Sequence, residues 1–183
     1  HEEHRHLETA LRLWSSVPDA EAVTGRTRVA VLEQAASAAS RSGDFARAVA
    51  LGREAVAEPG LDPLLRVHLR VVLARHLLGL ERERAAHEQA ELALAELPDD
   101  APAADRAWAL AMHARTSLVI DRDDDARESA TRAAAEADAA GDAGAAADAL
   151  ATLAILVVDD PDEAARLLIG ARDRARAAGD LVT

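Results

Sequence analysis

The feature that most constrains this chain is a pair of small residues, seven apart, that returns at a fixed interval. Ala48/Ala55, Ala86/Ala93, Ala126/Ala133 and Ala164/Ala171 have first members separated by 38, 40 and 38 positions. A further small residue stands twelve positions before the first three anchors, at Ala36, Ala74 and Ala114, and ten before the fourth, at Ala154. Turn signals keep the same beat: SGD at 42–44, LGL at 78–80 and IDRDDD at 120–125, with DAAGD at 138–142 echoed by RAAGD at 176–180. Between the turns, segments of about 12 to 18 residues carry apolar positions three and four apart, as a helix with one buried face requires. Large side chains would bury more area, at roughly 25 cal/mol per Å². A helix that keeps Ala48, Gly52 and Ala55 on its inner face therefore has another backbone close against it.

A repeat of this length is a helix pair, too small to bury its own face and stabilised by stacking on its neighbours. The expected fold is all-α, an α-α superhelix of stacked antiparallel helix pairs with nine helices in all. A leading helix over 3–14 precedes four repeats at 26–59, 61–98, 103–140 and 142–180, together one repeat domain over 1–183.

Composition narrows the function. The chain has 183 residues, no Cys, no Lys, 2% aromatic residues and a net charge of −12, so disulfides and thiol ligands are unavailable. Its acidity disfavours nucleic acid or an anionic membrane as a direct partner. The longest apolar run, ALATLAILVV at 149–158, is about half of what a bilayer span needs. With no visible signal peptide and a first residue that is not Met, the chain reads as a piece of a larger cytoplasmic protein.

The repeat resembles the tetratricopeptide repeat, on SGDFARAVALGREAVAEP from the turn to Pro59 and on Ala86, Ala90, Ala93 and Pro98 in the next unit. It departs in having a longer period, with Ala, Leu or Ser where that motif has aromatics. The stretch HLETALRLWSSVPDAEAVTGRTRVAVLEQAASAASRSGDFARAVALGREAV, residues 6–56, is similar to the region that follows the ATPase module in large ATP-binding LuxR-family regulators of actinobacterial type. That resemblance implies a P-loop ATPase upstream, a helix-turn-helix downstream and this helical sensor between them. Neither end is in the chain: it has no G-x4-GK[ST] motif and no basic surface for reading DNA. Similar arrays also follow the ATPases of cyclase-type signalling proteins.

Candidate chemistry is sparse, and the chain is read as neither an enzyme nor the holder of a cofactor or metal. HEEHRH at 1–6 is one residue short of the His-Glu-x-x-His that puts two imidazoles on one helix face. DRDDDARE at 121–128 starts like a calcium loop but has Ala126 for the required Gly and Arg132 for the twelfth-position Glu. An acidic helix N-terminus, favoured by the helix dipole, accounts for it. His68, His76, His87 and His113 show no convergent spacing.

What remains is the face lined by the first helix of each pair, expected to be concave. Its candidate ligand- or peptide-binding residues are Glu33, Ser37, Arg41, His68, Arg75, Trp108, Arg115 and Asp148, with Ser40, Val71, Leu78, Ala111 and Leu118 beside them. His68 and Trp108 hold equivalent positions in adjacent repeats, as do Arg75 and Arg115. Guanidinium groups can grip a carboxylate or phosphate bidentately, and an indole adds an apolar anchor. The competing expectation for Arg75 and Arg115 is an ordinary interhelix ion pair, and for Trp108 a core position. The partner would be a protein or peptide, a small effector, or the chain's own ATPase and DNA-binding modules. A free-standing adaptor is the rival, although co-chaperone grooves use Lys and Asn, which this chain lacks. Homodimerisation through the terminal helices is a third reading.

Overall fold

Short polar caps decide where the helices begin. Thr27, Asp44, Asp62, Asp142 and Asp160 each accept a hydrogen bond at 2.9–3.2 Å from a first-turn backbone N–H. Each satisfies a donor that the helix itself leaves unpaired. Pro63 and Pro161 stand at the first helical position, where a missing N–H costs nothing. The computed structural model describes residues 2–179, with side chains from His6 onward. Among the described residues there is no strand and there are ten α-helices: α1 (Glu2–Leu13), α2 (Ala20–Thr24), α3 (Arg28–Arg41), α4 (Phe45–Val56), α5 (Pro63–Gly79), α6 (Glu83–Ala95), α7 (Ala103–Val119), α8 (Asp123–Ala140), α9 (Ala143–Leu156) and α10 (Pro161–Ala178).

The fold is all-α, but the helix count is ten rather than nine. The extra element, α2, lies inside 17–25, a stretch that reads as a turn. It is five residues long, too short to display a helical period, and it ends at Gly25 with φ 65°. The DRDDD segment is no calcium loop: Asp123, Asp124 and Asp125 form the first turn of α8. The histidines of HEEHRH at positions 1 and 4 lie outside the described side chains.

Helices pack in sequence order, α3 on α4, α5 on α6, α7 on α8 and α9 on α10, with each pair stacked on the next. First helices α3, α5, α7 and α9 stand side by side in one layer, and α1 packs on α3 through Leu7 and Leu11. The seam is made of the small anchors. Ala48, Ala55, Ala86, Ala93, Ala126 and Ala133 have no solvent exposure, and Ala36, Ala74 and Ala114 at most 1%. A Cβ on Gly52 would stand 3.1 Å from Leu73 Cδ1, so α5 approaches α4 closely enough that even an alanine there would have to push Leu73 aside.

The turns repeat at atomic level. The amides of Asp44, Arg82 and Arg122 donate to the carbonyls of Ala39, Leu77 and Ser117, each at 2.9 Å, closing the same Schellman-type C-cap. The left-handed residue this requires is Gly43 in the first repeat, but Glu81 (φ 54°) in the second and Asp121 (φ 61°) in the third. A side chain in that region costs about 1–2 kcal/mol, partly offset by the extra backbone freedom glycine brings to the unfolded chain. Glu81→Gly is therefore expected to stabilise the fold by about 0.5–1 kcal/mol, read as a higher denaturant midpoint at constant slope. A lower midpoint would contradict the strain argument. The fourth turn is built differently, with Asp160 N donating to Val157 O, consistent with its shorter spacing.

Candidate functional site

Along the layer of first helices, two cavities share a wall. One, about 390 Å³, lies between α5 and α7 and is lined by Val67, His68, Val71, Val72, Arg75, Asp105 and Trp108. The other, about 570 Å³, lies among α7, α9 and α10, with Arg75, Trp108, Arg115, Asp148, Leu168 and Arg172 in its lining. Arg75 and Trp108 form the wall.

Trp108 is held from two sides. Its Nε1–H donates to Asp142 Oδ2 at 2.9 Å, while Asp142 Oδ1 caps α9 by accepting from Ala145 N. Gly144 leaves the room: a Cβ there would lie 3.1 Å from the indole Cζ2. The Arg75 guanidinium sits 5.6 Å from the ring centroid, within cation–π range. Arg75 is exposed and makes no ion pair among the described residues. Its equivalent, Arg115, is committed: Nη2 lies 3.1 Å from Asp148 Oδ1 on α9. The second Asp148 oxygen, Oδ2, is buried without a partner, and burial pushes this carboxyl up while Arg115 and Arg75 pull it down. At the other end His68 Nε2 meets Glu33 Oε1 at 2.6 Å, bridging α5 to α3. Their hydrogen bond raises the His68 pKa and lowers that of Glu33.

Glu33, His68, Arg75, Trp108, Arg115 and Asp148 thus lie along one face across α3, α5, α7 and α9. Ser37 and Arg41, on α3, line neither cavity. Ala111 is a correction to the expected face: it has no exposure and packs with Leu110, Ala133 and Ala149 inside the array. Asp105 escaped the sequence reading, although it stands one turn before Trp108 on the same helix. A further cavity, between α1, α3 and α4, is lined by the Arg28–Glu54 and Arg47–Glu8 pairs and by Arg12.

No protein-family model matches the chain, and no curated protein matches it. Solved structures do. The crystal structure of BtubC (BKLC) from P. vanneervenii superposes with a TM-score of 0.69 at 21% identity, over 96% of this chain and 72% of that one. A Podosopora anserina putative kinesin light chain with nearly identical TPR-like repeats gives 0.61 at 20% identity, over 98% and 92%. The fold is a TPR-like helical repeat. MamA aligns similarly, at a TM-score of 0.60 and 15% identity over 96% of this TPR-like chain and 92% of its own.

Proposed function

We propose that this TPR-like array binds a carboxylate-bearing protein or peptide segment on its first-helix face, with Arg75 as the cation that receives it. The observation that supports this reading is the state of Arg75: stacked on a fixed indole, exposed, between two cavities, and unpaired where its equivalent Arg115 is paired. A preorganised guanidinium loses little freedom on forming a bidentate carboxylate pair, and the cavities on either side accept flanking apolar side chains. The net charge of −12 does not oppose this. Exposed charges beyond about 8 Å are largely screened at physiological ionic strength, so the balance is set locally, by Arg75 and His68 against Asp105 in the same cavity.

In this reading residues 1–183 form one helical-repeat domain of a longer cytoplasmic protein, and occupancy of the face is transmitted by repeats changing their stacking. The resemblance over residues 6–56 supports reading the domain as a non-enzymatic sensor between a P-loop ATPase and a helix-turn-helix in a LuxR-type regulator. Both modules should be encoded in the adjoining reading frame, and a frame without them would favour the adaptor.

The site is tested with random peptides displayed against the immobilised chain. Selected peptides should carry Asp, Glu or a free C-terminal carboxylate, and Arg75→Ala should weaken them at least tenfold, about 1.4 kcal/mol. Arg41→Ala, outside both cavities, should leave affinity unchanged. Peptides without a carboxylate, or equal affinity for Arg75→Ala, would overturn the assignment.

A further inference from the structure

Two histidines without a repeat relationship meet between α6 and α7. His87 is 4% exposed, and its ring centroid lies 5.1 Å from that of His113. One ring nitrogen from each and a carboxylate oxygen of Glu91, one turn after His87 on α6, all lie within 4.8 Å of one another.

The hydrogen bonds fix how His87 presents itself. Thr116 Oγ1 donates to Met112 O at 3.0 Å, so its proton is used and it accepts from His87 Nδ1–H at 3.2 Å. The Nε2 lone pair is left facing Glu91 Oε1 at 3.4 Å, an acceptor facing an acceptor. Such a pair repels unless a cation stands between. One does: Arg122 Nη1 donates to His87 Nε2 at 3.0 Å and lies 3.6 Å from Glu91 Oε1. That guanidinium is half-exposed, and its Nε already pairs with Asp125 Oδ2 at 3.0 Å, which gives it somewhere to go. On the other side, His113 Nδ1 is held by Ser129 Oγ at 2.8 Å. Hydroxyl contacts to Nδ1 on both rings are the outer-shell arrangement that orients imidazoles as ligands.

We propose that His87, Glu91 and His113 form a binding site for a divalent transition metal of the zinc class, with Arg122 as a displaceable internal cation. Two imidazoles and one carboxylate suit zinc and leave a fourth position to water. Ligands at about 2.0–2.2 Å from a tetrahedral ion stand roughly 3.4 Å apart, the His87–Glu91 spacing already present. The ion would clip the second helix of one repeat to the first helix of the next.

The test is calorimetric titration of the chelator-treated chain with zinc chloride, with cobalt(II) absorption reporting tetrahedral coordination and magnesium as a control. The wild type should take up zinc but not magnesium, with a rise in melting temperature. Glu91→Gln, at an exposed position that preserves the fold, should weaken zinc binding at least tenfold. His113→Gln should abolish the tetrahedral cobalt bands, and Arg122→Ala should bind zinc about tenfold tighter because the competing cation is gone. The Arg122 result separates a metal seat from a structural hydrogen-bond cluster, which its loss could only loosen. Unchanged zinc affinity in both Glu91→Gln and His113→Gln would place any bound metal on other histidines and overturn the proposal. Weaker binding by Arg122→Ala would also overturn it.

Discussion

Lowering the pH from 7 to 4 is expected to cost the array about 3 kcal/mol through one side chain, His76. Its imidazole is 4% exposed on α5, and both ring nitrogens are buried without a hydrogen-bond partner. Burial, reinforced by the neighbouring Arg75 charge, lowers its pKa from 6.5 to about 4. In the unfolded chain the ring takes its proton near 6.5, whereas in the folded chain it resists until about 4. Between those values protons favour the unfolded state, at about 1.4 kcal/mol per pH unit. His113, lowered by burial and by His87, acts in the same direction. His68 acts oppositely: its pKa is raised, so its stabilisation is complete below 6.5 and is lost as pH rises through the raised value. The Glu33 contribution is present above 4.5 and lost as pH falls through its lowered folded value. Denaturant unfolding of His76→Leu against wild type isolates the one ring. The variant should lose less stability between pH 6.5 and 4, by about 3 kcal/mol, and be no less stable at neutral pH because two orphaned nitrogens are gone. Identical pH slopes in the two proteins would falsify this account.

The second large effect belongs to the small-residue seam. Ala48→Leu is expected to destabilise by about 1–3 kcal/mol, because three added carbons have no space and must separate α4 from its neighbours. Ala48 has no solvent exposure, and α4 packs against both α3 and α5. Ala50→Leu, on the exposed side of the same helix, is the control, with nearly the same helix propensity and nothing to displace. Thermal melts should drop for Ala48→Leu and barely move for Ala50→Leu. Equal melting temperatures would mean that the seam has slack, and the period of small residues would need another cause.

Legibility in the sequence followed locality. A turn that closes through a single 2.9 Å bond between residues five apart writes its requirements into adjacent letters, so the bonds at Asp44, Arg82 and Arg122 are spaced as the anchors are. Helix faces were readable for the same reason: the Ala anchors of the first three repeats are fully buried where the interval puts them, whereas in the fourth Ala164 is only part-buried and Ala171 is 8% exposed. Helix α2 was not, because one turn of helix has no period. The candidate face was half readable. Equivalent positions set His68 beside Trp108 and Arg75 beside Arg115 on adjacent helices, but which guanidinium is paired depends on Asp148, on a third helix. His87 and His113 meet because a second helix packs on the following first helix, at a height that side-chain packing sets and spacing does not show. Ala111, apolar and on the expected helix, was rolled a little too far inward to line anything.

Among its described residues, α10 buries Ala171 alone, and Leu168 and Ile169 remain about half-exposed. Opening α10 forfeits its interface with α9 and the Arg174–Asp138 pair to α8, whereas opening α5 forfeits its interfaces with α4, α6 and α7 together. Among the described residues, amide hydrogens of α10, which buries one side chain, should therefore exchange ahead of those of α5, which buries seven. The sparsely buried α10 supplies Leu168 and Arg172 to the cavity that Trp108 and Arg115 also line, so that wall is the one that yields most readily to whatever enters.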